Sequence, residues 1–321
     1  NTVNHNGISG ISILLNCENN IISQNTANYN TGDGIILTSS NKNEITHNIA
    51  NHNTGNGISL INSHYSLTQF NTAYNNSGSG ILAVTWNHGI ISYNTVYDNI
   101  GNGILIVMCD NGTISYNTVY DNPSNGMLCV TLTNSIIESN YVHHNGMHGL
   151  NLMGSGVGTI VKFNTLNYNN LSGLYLTVCD DLLVLNNLAS NNLQHGIYLA
   201  GSNNNFISSN TANSNSENGI HLDVSNDNII LSNTANNNKN GTFLVASNYN
   251  KVINNVLLGN TEYCYNETAG STGNIFLDNV CTGTIGGPII DLSIILLILC
   301  IIEGAIIGVI VVTYFVRKRK P

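Results

Sequence analysis

Apolar residues in this chain recur at alternate positions, in short runs ended by asparagine, glycine or serine, up to about residue 280. If each unit is read from its first asparagine, the anchors are Asn1, Asn25, Asn48, Asn71, Asn94, Asn117, Asn140, Asn164, Asn187, Asn210, Asn233, Asn255 and Asn279, spaced 22 to 24 residues apart. Five residues after an anchor a second asparagine recurs, as at Asn30, Asn99 and Asn215. Nine after comes glycine, as at Gly34, Gly103 and Gly219. Alternate apolar residues follow that glycine, Ile104 with Ile106 and Ile220 with Leu222. A further one lies three before the next anchor, as at Ile91 and Ile114, with Thr68 the exception.

A burial period of two with these breakers predicts three short strands per unit. The glycine and asparagine content, and the lack of a 3.6-residue apolar stripe before residue 289, exclude a helical repeat. No strand has room to form a hairpin with its sequence neighbour. Each must pair, in parallel, with its own counterpart one period later. The expected fold is all-β, a right-handed parallel β-helix of about 12 coils with ~23-residue repeats. At ~4.8 Å per coil it forms a rod of roughly 60 Å.

Asparagines stacked in register can donate to one neighbouring amide and accept from the other, and asparagine tolerates the left-handed backbone of a sharp corner. Cys17, Ser40, Ser63, Cys109, Cys179, Ser202, Ser225 and Ser247 all lie eight before an anchor, which predicts one packed turn column with core thiols. The unit NT(A/V)xxNxxxGIxL, as in Asn25 to Leu37 and Asn210 to Leu222, resembles the parallel β-helix repeats of the NosD-like family, also described as carbohydrate-binding and sugar-hydrolase domains. The resemblance covers the chain to about residue 283. It implies a fold shared by lyases, hydrolases, epimerases, binding proteins and surface proteins, so it specifies fold more sharply than activity.

Charge narrows the partners. Residues 1–287 hold 15 Asp and Glu against Lys42, Lys162, Lys239 and Lys251, a formal charge of −11, and no arginine. Such a surface repels phosphate backbones, and no nucleic-acid partner is expected. The seven cysteines form no CxxC pair, which argues against a zinc module or a dense disulfide scaffold; spacing leaves open whether Cys264 and Cys281 pair. Copper delivery to a nitrous oxide reductase is implied by the resemblance, but the scattered histidines come with no methionine- or cysteine-supported copper site. No metal site and no cofactor are expected.

The largely apolar run 292–316 is long enough to span a bilayer and ends in Arg317, Lys318, Arg319 and Lys320. The positive-inside rule places that tail in the cytoplasm and the β-helix outside. The expected organisation is a β-helix ectodomain over 1–283, a juxtamembrane linker over 284–291, a transmembrane helix over 292–316 and a basic tail over 317–321, on the cell membrane. Asn1 falls on an anchor with no initiating methionine, so an export signal and an N-terminal cap are expected upstream. The last unit replaces its glycine by Cys264, as a terminal cap would. Glu303, with Gly304 and Gly308 as a GxxxG pair, suggests homo-oligomers through the membrane span.

Outward residues one period apart become neighbours. The column three after the anchor reads Tyr74, Tyr97, Tyr120 and His143, an aromatic stripe beside Asp98, Asp121 and His144, with Tyr93 and Tyr116 near its edge. Rings beside polar groups suit an extracellular polysaccharide or glycoprotein. Asp98 and Asp121 are the candidate acid pair for catalysis; Asp180 with Asp181, and His143, His144 and His148, are further clusters. Asn75, Asn111, Asn170, Asn240 and Asn266 begin N-x-S/T sequons. Two functions stay open: a membrane-anchored surface protein with a structural, adhesive or glycan-binding role, and a membrane-tethered polysaccharide lyase, hydrolase or epimerase. The absence of arginine disfavours enzymes of uronic acids.

Overall fold

A computed structural model describes residues 1–286, apart from residue 269. The chain winds as a right-handed all-β parallel solenoid of about 12 turns, the hand that parallel crossovers adopt. One coil illustrates the rest. Thr95–Tyr97 belongs to a first sheet, Ile104–Asp110 to a second and Thr113–Ser115 to a third. The three sheets hold 8, 13 and 12 strands, and each strand pairs in parallel with its counterpart one coil away, as Tyr74 with Tyr97 and Ile81 with Ile104. Beyond Thr165–Asn167 the first sheet thins to isolated bridges through Leu188, Thr211 and Thr234 to Val256.

Inward positions fill the bore with Ile104, Ile106, Ile114 and Val119, all fully buried, and with their equivalents in the other coils, of which Ile11 and Ile13 are only partly covered. Thr68 takes an isoleucine's place there and its hydroxyl finds no partner. The asparagine ladders form as the repeat requires. Asn117 Nδ2 donates to Asn140 Oδ1 at 2.9 Å and to Ile91 O at 3.0 Å, while its Oδ1 accepts both the backbone and side-chain N–H of Asn94 at 3.0 Å. Each amide thus satisfies corner backbone groups as well as its neighbours.

The corners themselves correct one expectation. The ladder asparagines are not the left-handed residues. In each coil four other positions are, and around Asn94 they are Tyr93, Asp98, Met108 and Asn111, with φ between 53 and 57°. Val178 and Val224 also adopt it, at 51 and 49°. The ladder amide bonds the backbone on either side of the bend, so the strained residue beside it can be almost anything.

The serine and cysteine column is real. Cys179 N donates to Ser202 Oγ, and Ser202 N to Ser225 Oγ, both at 3.0 Å. Cys109, Cys129 and Cys179 are buried free thiols, the first and last with pKa values pushed up to about 11 by desolvation; Cys17 is exposed. Trp86 intrudes on this column fully buried, and Gly89 and Gly112 make room for it. The closing coil runs through the long strand Val256–Glu267, and Cys264 is disulfide-bonded to Cys281 with Cα atoms 5.8 Å apart. Among the described residues no helix is long and apolar enough to cross a membrane. The run 292–316 and Glu303, Gly304 and Gly308 lie outside the described residues.

Candidate functional site

The three-residue strands Thr72–Tyr74, Thr95–Tyr97, Thr118–Tyr120 and Tyr141–His143 stack in register on the first sheet. Their middle residues point into the core, so the third position faces outward in every coil. Tyr74, Tyr97, Tyr120 and His143 form a continuous ladder with ring centroids 4.9, 5.0 and 5.2 Å apart and planes within 3 to 7° of parallel. At that spacing parallel rings are offset like shingles, leaving part of each face and each phenol edge open. Asn51 Nδ2 caps one end by donating to the Tyr74 hydroxyl.

Asp98 and Asp121 follow Tyr97 and Tyr120 at exposed left-handed corners, one coil apart. Desolvation raises the pKa values of Tyr97 and Tyr120, with neighbouring charge adding to it, so both phenols stay protonated donors at neutral pH. His143 Nδ1 lies 2.8 Å from His144 Nδ1, and burial followed by His144 lowers the His143 pKa. Along the corner before each strand runs a second ladder of His47, Phe70, Tyr93 and Tyr116, at 5.0, 5.1 and 4.9 Å. Thr72, Thr95 and Thr118 occupy the strip between the two rails.

Other sequence candidates separate. His148 does not join His143 and His144; its ring stacks on Tyr175 at 4.4 Å, because it belongs to the second sheet's edge. Asp180 Oδ1 accepts the Asn203 backbone N–H at 2.6 Å, a coil-to-coil link, and Asp181 is a left-handed corner. Asn240 is buried and bonded to Asn218 at 2.8 Å, which removes it as a glycan acceptor. Sequence reasoning missed a second assembly of Tyr175, Tyr198, His221 and Phe243. Its signal was present, since Tyr175, Tyr198 and His221 recur 11 after their anchors and Phe243 follows 10 after Asn233.

A copper ion does not fit the described residues. Nδ1 of His64, His148 and His195 each accepts a backbone N–H, from Asn87, Ser172 and Asn218, at 3.1 to 3.2 Å. A neutral ring so used carries its proton on Nε2 and has no lone pair left for a metal. Among the described residues no three His, Cys, Asp or Glu converge on a point.

Residues 1–140 match the family described as right handed beta helix region, and residues 100–290 match that described as periplasmic copper-binding protein (NosD). No curated protein matches the chain. Solved structures share its fold at low identity. The A-module of a mannuronan C-5 epimerase from Azotobacter vinelandii aligns at TM-score 0.56 and 14% identity, over 86% of this chain and 91% of that one. A periplasmic alginate epimerase aligns at 0.52 and 14%, over 86% and 78%. The Dettilon tailspike protein aligns at 0.56 and 15%, over 89% of this chain and 61% of the tailspike. With the NosD match spanning more than half of its length, on a parallel β-helix stacked coil by coil, this chain belongs to the NosD family.

Proposed function

We propose that the protein is a membrane-anchored surface β-helix that binds glycan without processing it, through the ladder Tyr74, Tyr97, Tyr120 and His143. The carrying observation is the one-ring-per-coil repeat of this ladder, at 4.9 to 5.2 Å. That repeat is comparable to one sugar residue of an extended chain, so each residue meets a ring edge and a hydroxyl. Asp98, Asp121 and His144 supply acceptors and a donor alongside. The named activities of similar folds, mannuronan and alginate epimerases, lend weight to a sugar ligand.

Three of the four lysines in the β-helix are paired with glutamates, Lys162 with Glu138 at 3.0 Å, Lys42 with Glu18 at 3.3 Å and Lys239 with Glu217 at 3.6 Å. None borders the ladder, which favours neutral glycans over uronates. The Cys264–Cys281 disulfide supports an oxidising compartment outside the cytoplasm. The run 292–316 then serves as the anchor, with Glu303, Gly304 and Gly308 as the helix-pairing positions.

Retention of the full chain on immobilised polysaccharides, scored together with release of cleaved or altered sugar, tests this reading. Retention without turnover is expected, weakened about tenfold in the Tyr97→Ala, Tyr120→Ala double variant by loss of ring contact. Equal retention by both proteins overturns it. Turnover abolished by Asp98→Asn or Asp121→Asn replaces it with the enzymatic alternative.

A further inference from the structure

The second sheet carries its own outward assembly, which starts in the coil where the first ladder ends. His148 stacks on Tyr175 at 4.4 Å, Tyr175 lies 4.9 Å from Tyr198, and Tyr198 lies 4.8 Å from His221. His195 stacks on His221 at 4.6 Å, and Phe243 closes the row at 5.5 Å. Unlike the first ladder the row is not uniformly parallel: the tyrosines tilt by 30° and Tyr198 by 51° against His221, while His148 on Tyr175, His195 on His221 and Phe243 on His221 stay stacked. Tilted rings present face as well as edge. The row is half-buried rather than fully exposed.

Its polar groups are of a particular kind. His148 and His195 accept backbone N–H groups at Nδ1, and His221 Nδ1 lies 3.1 Å from the Asn218 amide nitrogen. Each ring is thereby a neutral Nε2–H donor and not a base. Tyr198 donates to Asp223 Oδ2 at 3.4 Å, leaving the carboxylate with acceptor capacity to spare. Asn151 Oδ1, Ser172 Oγ and Thr177 Oγ1 are buried with no hydrogen-bond partner, and all three belong to the same two coils as His148 and Tyr175. The chain itself covers these three atoms, so the polar groups the row offers a ligand are its imidazole N–H donors and the Asp223 carboxylate.

We propose that this row is a second carbohydrate site, separate from the first, and that it takes a neutral sugar. Aromatic faces, imidazole N–H donors and a carboxylate acceptor match the apolar faces and paired hydroxyls of a pyranose. Asp223, with no lysine or arginine among these residues, opposes an anionic one. The site rests on different residues from the first ladder, so either can fail alone.

The test is calorimetric titration of the full chain with cellohexaose, chitohexaose and a polymannuronate oligomer. His195→Asn is the informative variant. Asparagine fills that column at Asn218 and Asn240, so it keeps an acceptor for the Asn218 N–H while removing the ring and its donor. Binding of at least one neutral hexamer, no binding of the polymannuronate, and about tenfold weaker binding in Tyr175→Ala and in His195→Asn are expected. The titrations are run in the Tyr97→Ala, Tyr120→Ala background, in which the first ladder's own binding is weakened and the binding that remains belongs to this row. Unchanged affinity in the folded His195→Asn variant, preference for the anionic oligomer, or no binding of either neutral hexamer at millimolar concentration overturns the proposal.

Discussion

At the scale of single residues, the molecule separates two tasks that the repeat had assigned to one residue type. Ladder asparagines satisfy the backbone, and the residue beside them takes the left-handed bend. The bend costs a non-glycine residue roughly 1–2 kcal/mol, yet tyrosine, methionine and valine accept it because the ladder bonds on either side hold the corner. The same logic makes histidine a ladder member in the column of His148 and His195. Burial lowers the pKa values of His148, His195 and His221 to about 4, 3 and 4, against 6.5 unperturbed. A depressed histidine favours the neutral folded form, so its contribution is fully present above pH ~6.5 and is lost as pH falls toward ~4. The urea midpoint should fall on acidification across that window, and it should fall less steeply in His148→Asn and His195→Asn. Identical pH profiles for wild type and both variants would contradict this.

At the scale of one coil, steric compensation shows in the coils of Trp86 and Cys109. A Cβ at Gly89 would strike the indole, and one at Gly112 would crowd Cys109 Sγ and the indole. Gly89→Ser should therefore destabilise by about 1–3 kcal/mol through overpacking. Trp86→Ser should cost roughly 3–5 kcal/mol through the cavity it leaves. Together they should cost less than their sum by at least about 1 kcal/mol, since the side chain added at position 89 then enters the space the indole has left instead of striking the ring. Chemical denaturation of the two single variants and the double one measures this coupling, and strict additivity would refute it. The strands, their inward residues and both asparagine columns were readable in advance because parallel stacking places equivalents at a constant offset. The Trp86 exchange was not, because the compensating glycines are three residues away in one coil and one coil further in the other.

At the scale of the whole molecule, each coil touches only its neighbours, so stability is a sum of local interfaces. The Cys264–Cys281 link closes a segment of 17 residues at the described C-terminal end. Its reduction should remove about 3 kcal/mol from that coil while central coils keep their protection. Hydrogen exchange with and without reductant should show faster exchange confined to residues beyond about Asn233. Uniformly faster exchange along the rod would mean that the coils are coupled more tightly than nearest-neighbour stacking allows.

The sequence by itself determined the coil, its period, the direction of pairing and the ladder Tyr74, Tyr97, Tyr120 and His143, because all of these follow from one repeat distance. Proximity between different columns was decided only by the folded chain. The turn angle at each left-handed corner fixes which columns become neighbours around the rod. That angle separated His148 from His143 and His144, joined it to Tyr175, and closed the disulfide that spacing had left open. Repetition encodes the distance along the rod axis, whereas packing at the corners sets the distance around it.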